Sequence, residues 1–180
     1  MNADDEQPGG VATSGAEDDT DHADVSLHPP TVFLIAFGAA WALRLITPFL
    51  FPDGLLSGRA PLPRAFGDFV GGLLIVAGVA LMSISMRLFQ ESGQKLSPKT
   101  ETPSLIEAGP YKFSRNPIYV AMVLMTLGLG LAANNLWMIV FSFIAFAVVH
   151  FGVVVREEAY LSEKFGPPYD DYRRRVRRYL

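Results

Sequence analysis

The chain has 180 residues, 50% of them hydrophobic and only 18% charged, with a mean hydropathy of +0.27 and a formal net charge of −3. That is too apolar for an ordinary soluble domain and too regular for disorder. With no cysteine, disulfide frameworks, thiolate metal sites and cysteine nucleophiles are excluded. The net charge hides an asymmetry: residues 1–24 hold eight Asp or Glu and no Lys or Arg, whereas residues 173–180 hold five Arg. A basic tail beside apolar segments points to a membrane surface. No aromatic-rich basic groove accompanies it, so nucleic acid is set aside as a partner.

Residues 1–28 are rich in Asp, Glu, Gly, Ser and Thr, and with so little to bury they are expected to form a disordered acidic tail. The start is acidic and lacks an apolar core before Val32, unlike a signal peptide. A first membrane span is expected at about 31–51, interrupted only by Arg44, which is costly in a bilayer unless it snorkels or pairs. Pro48 permits a kink near its end. A turn-rich connection leads to a second span at about 66–89. Its Gly67, Gly71, Gly72 and Gly78 form a small-residue face at which another helix, or a second copy in a homodimer, could approach closely.

A polar loop follows, with Lys95, Lys99, Lys112 and Arg115, and ends in Gly109-Pro110-Tyr111-Lys112-Phe113-Ser114-Arg115-Asn116-Pro117-Ile118-Tyr119. Gly-Pro and Asn-Pro are turn signals, and Pro117 suits the first turn of a helix. Cations, an amide and phenols thus gather at a helix start, whose unpaired N–H groups suit a carboxylate-bearing ligand. The same residues also flank spanning helices as simple interfacial anchors. A third span is expected at about 117–133, near the lower length limit, and Ala133-Asn134-Asn135 turns the chain into a fourth at about 136–155. Gly128 and Gly130 allow this third–fourth hairpin to pack closely. His150 is deep in the fourth span and reads as a satisfied core histidine.

The final segment, 156–180, begins Arg156-Glu157-Glu158 and is expected to continue the fourth helix into water until Gly166-Pro167-Pro168 stops it. A second short helix then carries Tyr169, Tyr172, Val176 and Tyr179 beside the arginines, the pattern of an amphipathic helix lying on a leaflet. The fold class is therefore all-α. It is a polytopic membrane protein of four transmembrane helices with a cytoplasmic C-terminal helical cap, residues 29–180 forming a single domain. Basic loops place both termini in the cytoplasm and the chain in the inner membrane, although Arg59 and Arg64 on the outer side count against this.

A third–fourth hairpin begins and ends at one face, so it brings Tyr111–Tyr119 beside Arg156–Glu158 across some forty residues of sequence. Glu157 and Glu158 point about 100° apart on a helix, so one can meet a ligand while the other pairs with Arg115 or Arg156. A cap of salt bridges that binds nothing fits the same spacing.

Two motifs in order across the hairpin, Gly-Pro-Tyr-x3-Arg-Asn-Pro-x-Tyr and Arg-Glu-Glu-x2-Leu-x3-Phe-Gly-x2-Tyr-x2-Tyr, resemble the integral-membrane methyltransferases. That family includes isoprenylcysteine carboxyl methyltransferase and phospholipid methyltransferases. The resemblance implies S-adenosylmethionine at the cytoplasmic end of the last helices and a lipophilic or small acceptor entering from the bilayer. It places Tyr111, Arg115, Asn116, Pro117 and Tyr119 on the first cofactor motif and Glu157, Glu158, Tyr169 and Tyr172 on the second. Arg115, Glu157 and Glu158 take the catalytic roles, and no metal is implied. Many members have Arg-His-Pro where this chain has Arg-Asn-Pro, and Asn116 cannot act as a general base. Two other readings share the pattern: an NADPH-dependent membrane reductase, and a non-catalytic protein whose cap binds lipids or a partner.

Overall fold

The computed structural model describes residues 28–51, 57–92 and 105–180. The acidic tail, the connection at 52–56 and the Lys95–Lys99 part of the polar loop lie outside the described residues. Six α-helices follow in chain order: α1 Pro29–Leu50, α2 Arg64–Glu91, α3 Pro117–Ala132, α4 Leu136–Val149, α5 Val155–Phe165 and α6 Pro167–Arg175. A short 3₁₀ turn covers Gly109–Lys112, and a π-helical turn, His150–Val154, joins α4 to α5 without a break. The all-α expectation is met among the described residues.

Among the described residues, three helical runs are long and apolar enough to cross a membrane: 29–50, 64–91 and 136–165. α3 is different. Its 16 residues reach about 24 Å at ~1.5 Å per residue, short of a hydrocarbon core of about 30 Å. α1 continues through Pro48 to Leu50.

The helices pack antiparallel, and the contacts show which ends meet. Trp137 Nε1, at the start of α4, donates to Thr47 Oγ1 near the end of α1 at 3.2 Å, while Phe33 in the first turns of α1 packs with Val149, Val153 and Val154. Along α2 and α3 the pairing is glycine to backbone. A Cβ on Gly67 would come within 2.8 Å of Leu131 O, one on Gly71 within 2.6 Å of Gly128 O, and one on Gly78 within 3.0 Å of Ala121 O. The small-residue face that permits a homodimer is thus covered by α3 within the same chain. Gly72, pointing elsewhere, has open space. Gly128 belongs to this α2–α3 contact, not to the α3–α4 hairpin; Gly130, against Ile139, serves the hairpin.

The hairpin turn is held by its asparagines. Asn135 caps α4 by accepting from Met138 N–H at 3.2 Å. Asn134 takes a positive φ of 48° and accepts from Ala60 N–H at 2.9 Å, tying the α1–α2 connection to the turn. The start of α1, the end of α2, the start of α3 and the end of α4 consequently gather at one end of the bundle.

α5 stops where expected, at Gly166 with φ 59°, which only a residue without Cβ adopts cheaply. The next segment departs from expectation. α6 ends at Arg175, and Val176 turns extended (φ −116°, ψ 132°), so Val176–Leu180 is a strap and not more helix. Tyr169, Tyr172 and Val176 are buried against Leu105, Leu161 and Phe165. The apolar face offered to a leaflet is instead a small protein core, because the chain before α3 folds over it.

Candidate functional site

The two motifs meet at the end of the bundle where α3 begins and α4 runs into α5. Arg115 Nη2 is 3.0 Å from Glu158 Oε1, and both side chains are buried, at 8% and 6% exposure. Asn116 ends the loop with its side chain turned the same way, donating from Nδ2 to Glu158 Oε1 at 3.5 Å and to Arg178 O at 3.2 Å. Pro117, buried, opens α3. One turn on, Tyr119 donates its hydroxyl to Glu157 at 3.0 and 3.2 Å. The rotation of about 100° between neighbouring helix positions thus sends Glu157 to the phenol of α3 and Glu158 to the arginine before it.

The strap completes the cluster. Arg115 N–H donates to Arg177 O at 2.9 Å, making a single parallel bridge between Ser114 and Arg177. Arg115 Nη1 donates to Arg173 O at 3.1 Å. Arg178 approaches Glu158 Oε2 through Nε at 3.0 Å and Nη2 at 2.7 Å. One buried carboxylate is therefore shared by two guanidiniums, Arg115 from the buried side and Arg178, 39% exposed, from the open side. Arg178's charge is held more firmly than an ordinary arginine's, chiefly by the hydrogen bond to Glu158. Arg115 Nε is buried without a hydrogen-bond partner among the described residues.

The remaining expected site residues lie behind this layer. Tyr111 is buried in the 3₁₀ turn, and its carbonyl accepts the Tyr172 hydroxyl at 2.7 Å. Tyr169 is 1% exposed and packs near Tyr172, ring centroids 6.2 Å apart. Burial raises all three phenols above their ordinary range, Tyr169 up to about 12, so at neutral pH they stay protonated, and the Tyr172 hydroxyl donates. Tyr172 thereby holds the turn before Arg115 from behind, with Tyr169 packed against it.

Three participants were not singled out by the sequence. Arg178 is one of five arginines in the tail, with nothing in its spacing to separate it from the rest. Ser114 is buried and accepts Asn116 N–H at 3.2 Å. Tyr179 meets His150 Nδ1 at 2.6 Å and packs edge-on against Phe146 at 4.9 Å; its hydroxyl, raised to about 12 by burial, satisfies the histidine.

Comparison with known proteins bears on the same region. A model of the phospholipid methyltransferase family matches residues 67–168, from α2 through the start of α6. The cobalt-zinc-cadmium resistance protein CzcN of Cupriavidus metallidurans is 32% identical over 138 residues, 74% of this chain and 59% of that protein. The nickel-cobalt-cadmium resistance protein NccN of Alcaligenes xylosoxydans xylosoxydans is 33% identical over 76 residues, 42% of this chain and 35% of its own. The protein-S-isoprenylcysteine O-methyltransferase of Saccharomyces cerevisiae is 28% identical over 135 residues, 73% of this chain and 56% of the enzyme. The chain thus spans between about a third and three-fifths of these relatives' lengths. No solved structure matches it significantly. With the family's match running over more than half of the sequence, through the first motif and into the second as far as Pro168, the chain belongs to the phospholipid methyltransferase family.

Proposed function

We propose that the protein is an S-adenosylmethionine-dependent methyltransferase of the membrane, acting on a lipophilic or small acceptor at the cytoplasmic face. The observation that carries this reading is the meeting of two motifs some forty residues apart: Arg115 on Glu158 at 3.0 Å and Tyr119 on Glu157 at 3.0 Å. In the same reading α3 also crosses the membrane, making four spans in all, its short length met by local thinning of the bilayer. Both termini and the site then lie on the cytoplasmic side of the inner membrane, where Lys112 and the C-terminal arginines belong.

The residues fit the cofactor. A buried guanidinium with an unpartnered Nε is a donor for a carboxylate, and Glu157 and Glu158 are acceptors for an ammonium or ribose hydroxyls. Bound there, the cofactor supplies a sulfonium methyl group open to in-line attack. Arg115, Asn116, Glu157 and Glu158 would hold it, with Tyr111 and Tyr119 as aromatic walls that favour a cation. Pro117 fixes the helix start, and Tyr169 and Tyr172 position the loop from behind. Holding donor and nucleophile in register can account for about 7–11 kcal/mol of the barrier, and α6 with the strap keeps water from the Arg115–Glu158 pair, which strengthens its electrostatics. A carboxylate or thiolate acceptor attacks without a base. An amine acceptor must lose a proton, and Glu157, bonded to a phenol while Arg115 and Arg178 pair with Glu158, is placed to take it.

Incubating membranes that contain the protein with methyl-labelled S-adenosylmethionine tests this. Label in the lipid or small-molecule extract, abolished by Glu157→Gln together with Arg115→Met, is the expected result. Label no higher than in membranes lacking the protein overturns the reading.

A further inference from the structure

We propose that Arg178 is a displaceable counter-ion for Glu158, standing where a cationic group of the ligand belongs, and so sets the site's affinity for ligands that carry an ammonium. The proposal rests on the cofactor reading above and deepens it.

Glu158 has two guanidinium partners that are not equivalent. Arg115 is buried, bonded through Nη1 to Arg173 O and through its main-chain N–H to Arg177 O. It cannot leave without breaking the loop. Arg178 is 39% exposed and holds Glu158 Oε2 through its side chain alone, at 2.7 and 3.0 Å. Its main chain is anchored separately: Arg178 O accepts from Asn116 Nδ2 at 3.2 Å and from Ser114 Oγ at 3.4 Å, and the next residue, Tyr179, is fastened to His150. The strap therefore stays in place when the guanidinium swings outward. Oε2 is then the one acceptor of the cluster that opens by a side-chain rotation, and a carboxylate oxygen beside a buried arginine is matched by an ammonium, not by an anion or a neutral amide. Displacing Arg178 breaks two charge-assisted hydrogen bonds to a buried carboxylate, a loss partly offset because the released guanidinium, already 39% exposed, is rehydrated. It nonetheless subtracts from the affinity of every ligand that uses Oε2.

The test compares the parent, Arg178→Gln and Arg178→Lys as full-length protein in detergent or nanodiscs. Two probes are titrated: S-adenosylhomocysteine, which carries the ammonium, and 5′-methylthioadenosine, which lacks the whole amino-acid portion. Arg178→Gln should bind S-adenosylhomocysteine about three- to tenfold more tightly than the parent, with 5′-methylthioadenosine unchanged and Arg178→Lys close to the parent. Saturable binding by Arg178→Gln alone supports the proposal in its strongest form. Equal or weaker binding by Arg178→Gln, in a parent that binds, overturns the proposal and leaves the cofactor reading standing; equal shifts for both probes do the same. Binding by none of the three proteins overturns both. Thermal unfolding of each variant shows whether weaker binding reflects lost folding.

Discussion

Glu158→Ala removes the one carboxylate that balances a buried arginine, and its cost can be worked from the contacts. Arg115 is 8% exposed and would keep only Arg173 O as partner for Nη1, since Nη2 faces the deleted carboxylate at 3.0 Å and Nε has no partner already. Breaking a buried pair by deleting one member costs about 3–5 kcal/mol, because the remaining charge is left desolvated. Arg178, half-exposed, turns to water and adds little. Glu157→Gln, which keeps an oxygen for the Tyr119 hydroxyl, should cost about 1 kcal/mol or less. Replacing both partners, Arg115→Met with Glu158→Leu, substitutes an apolar contact of similar size and should restore most of the loss. Reversible unfolding in mixed detergent micelles, followed by circular dichroism, measures these proteins together with the Arg115→Met and Glu158→Leu single variants. A Glu158→Ala cost within about 0.5 kcal/mol of the parent would show the pair to be solvated, as would a double variant that loses the sum of its singles. Either would remove the ground for treating the cluster as a built site.

Other consequences are equally open to measurement. Gly71→Ala drives a Cβ to 2.6 Å from Gly128 O and 2.7 Å from Ala132 N, both rigid backbone, and should cost about 1–3 kcal/mol; Gly72→Ala, with nothing within 4 Å, should stay within about 1 kcal/mol of the parent in the same unfolding assay. Asn135→Ala removes the cap on Met138 N–H and should lower stability by about 0.5–2 kcal/mol. Tyr169 and Tyr179 are raised by burial from 10.0 to about 12, so the folded state holds their protons more tightly than the unfolded chain. Stability is then unaffected below about pH 10 and falls as pH rises from there toward about 12, which tyrosinate absorbance alongside circular dichroism would follow; phenols that ionise near 10 with no loss of structure would contradict their burial.

Much of this arrangement could be read before any coordinates. The sequence marks four apolar runs as spans, of which three are long enough to cross and the run at 117–132 is shorter, and Ala133-Asn134-Asn135 leaves too little chain for anything but an antiparallel hairpin. From that hairpin the approach of Tyr111–Tyr119 to Arg156–Glu158 follows, because both lie just outside its open end; which glutamate meets Arg115 comes from the structure alone. Other features left no trace. A glycine face says that something comes close, but not whether the partner is α3 or a second copy. The π turn at His150–Val154 rests on backbone bonding that no residue pattern announces. Tyr169, Tyr172 and Val176 have the spacing of a leaflet-facing helix; what covers them is Leu105 together with Leu161 and Phe165, a long-range packing choice. Arg178 is hidden among neighbours of identical chemistry, and only its distance to Glu158 sets it apart.

The most direct test is calorimetric titration of S-adenosylhomocysteine into the purified full-length protein and into the Arg115→Met/Glu158→Leu double variant, whose folding is verified first. Saturable binding to the parent, absent from the folded double variant, is the predicted result. No binding to the parent, or the same affinity in both proteins, would contradict the claim that the two motifs meet to hold the methyl donor.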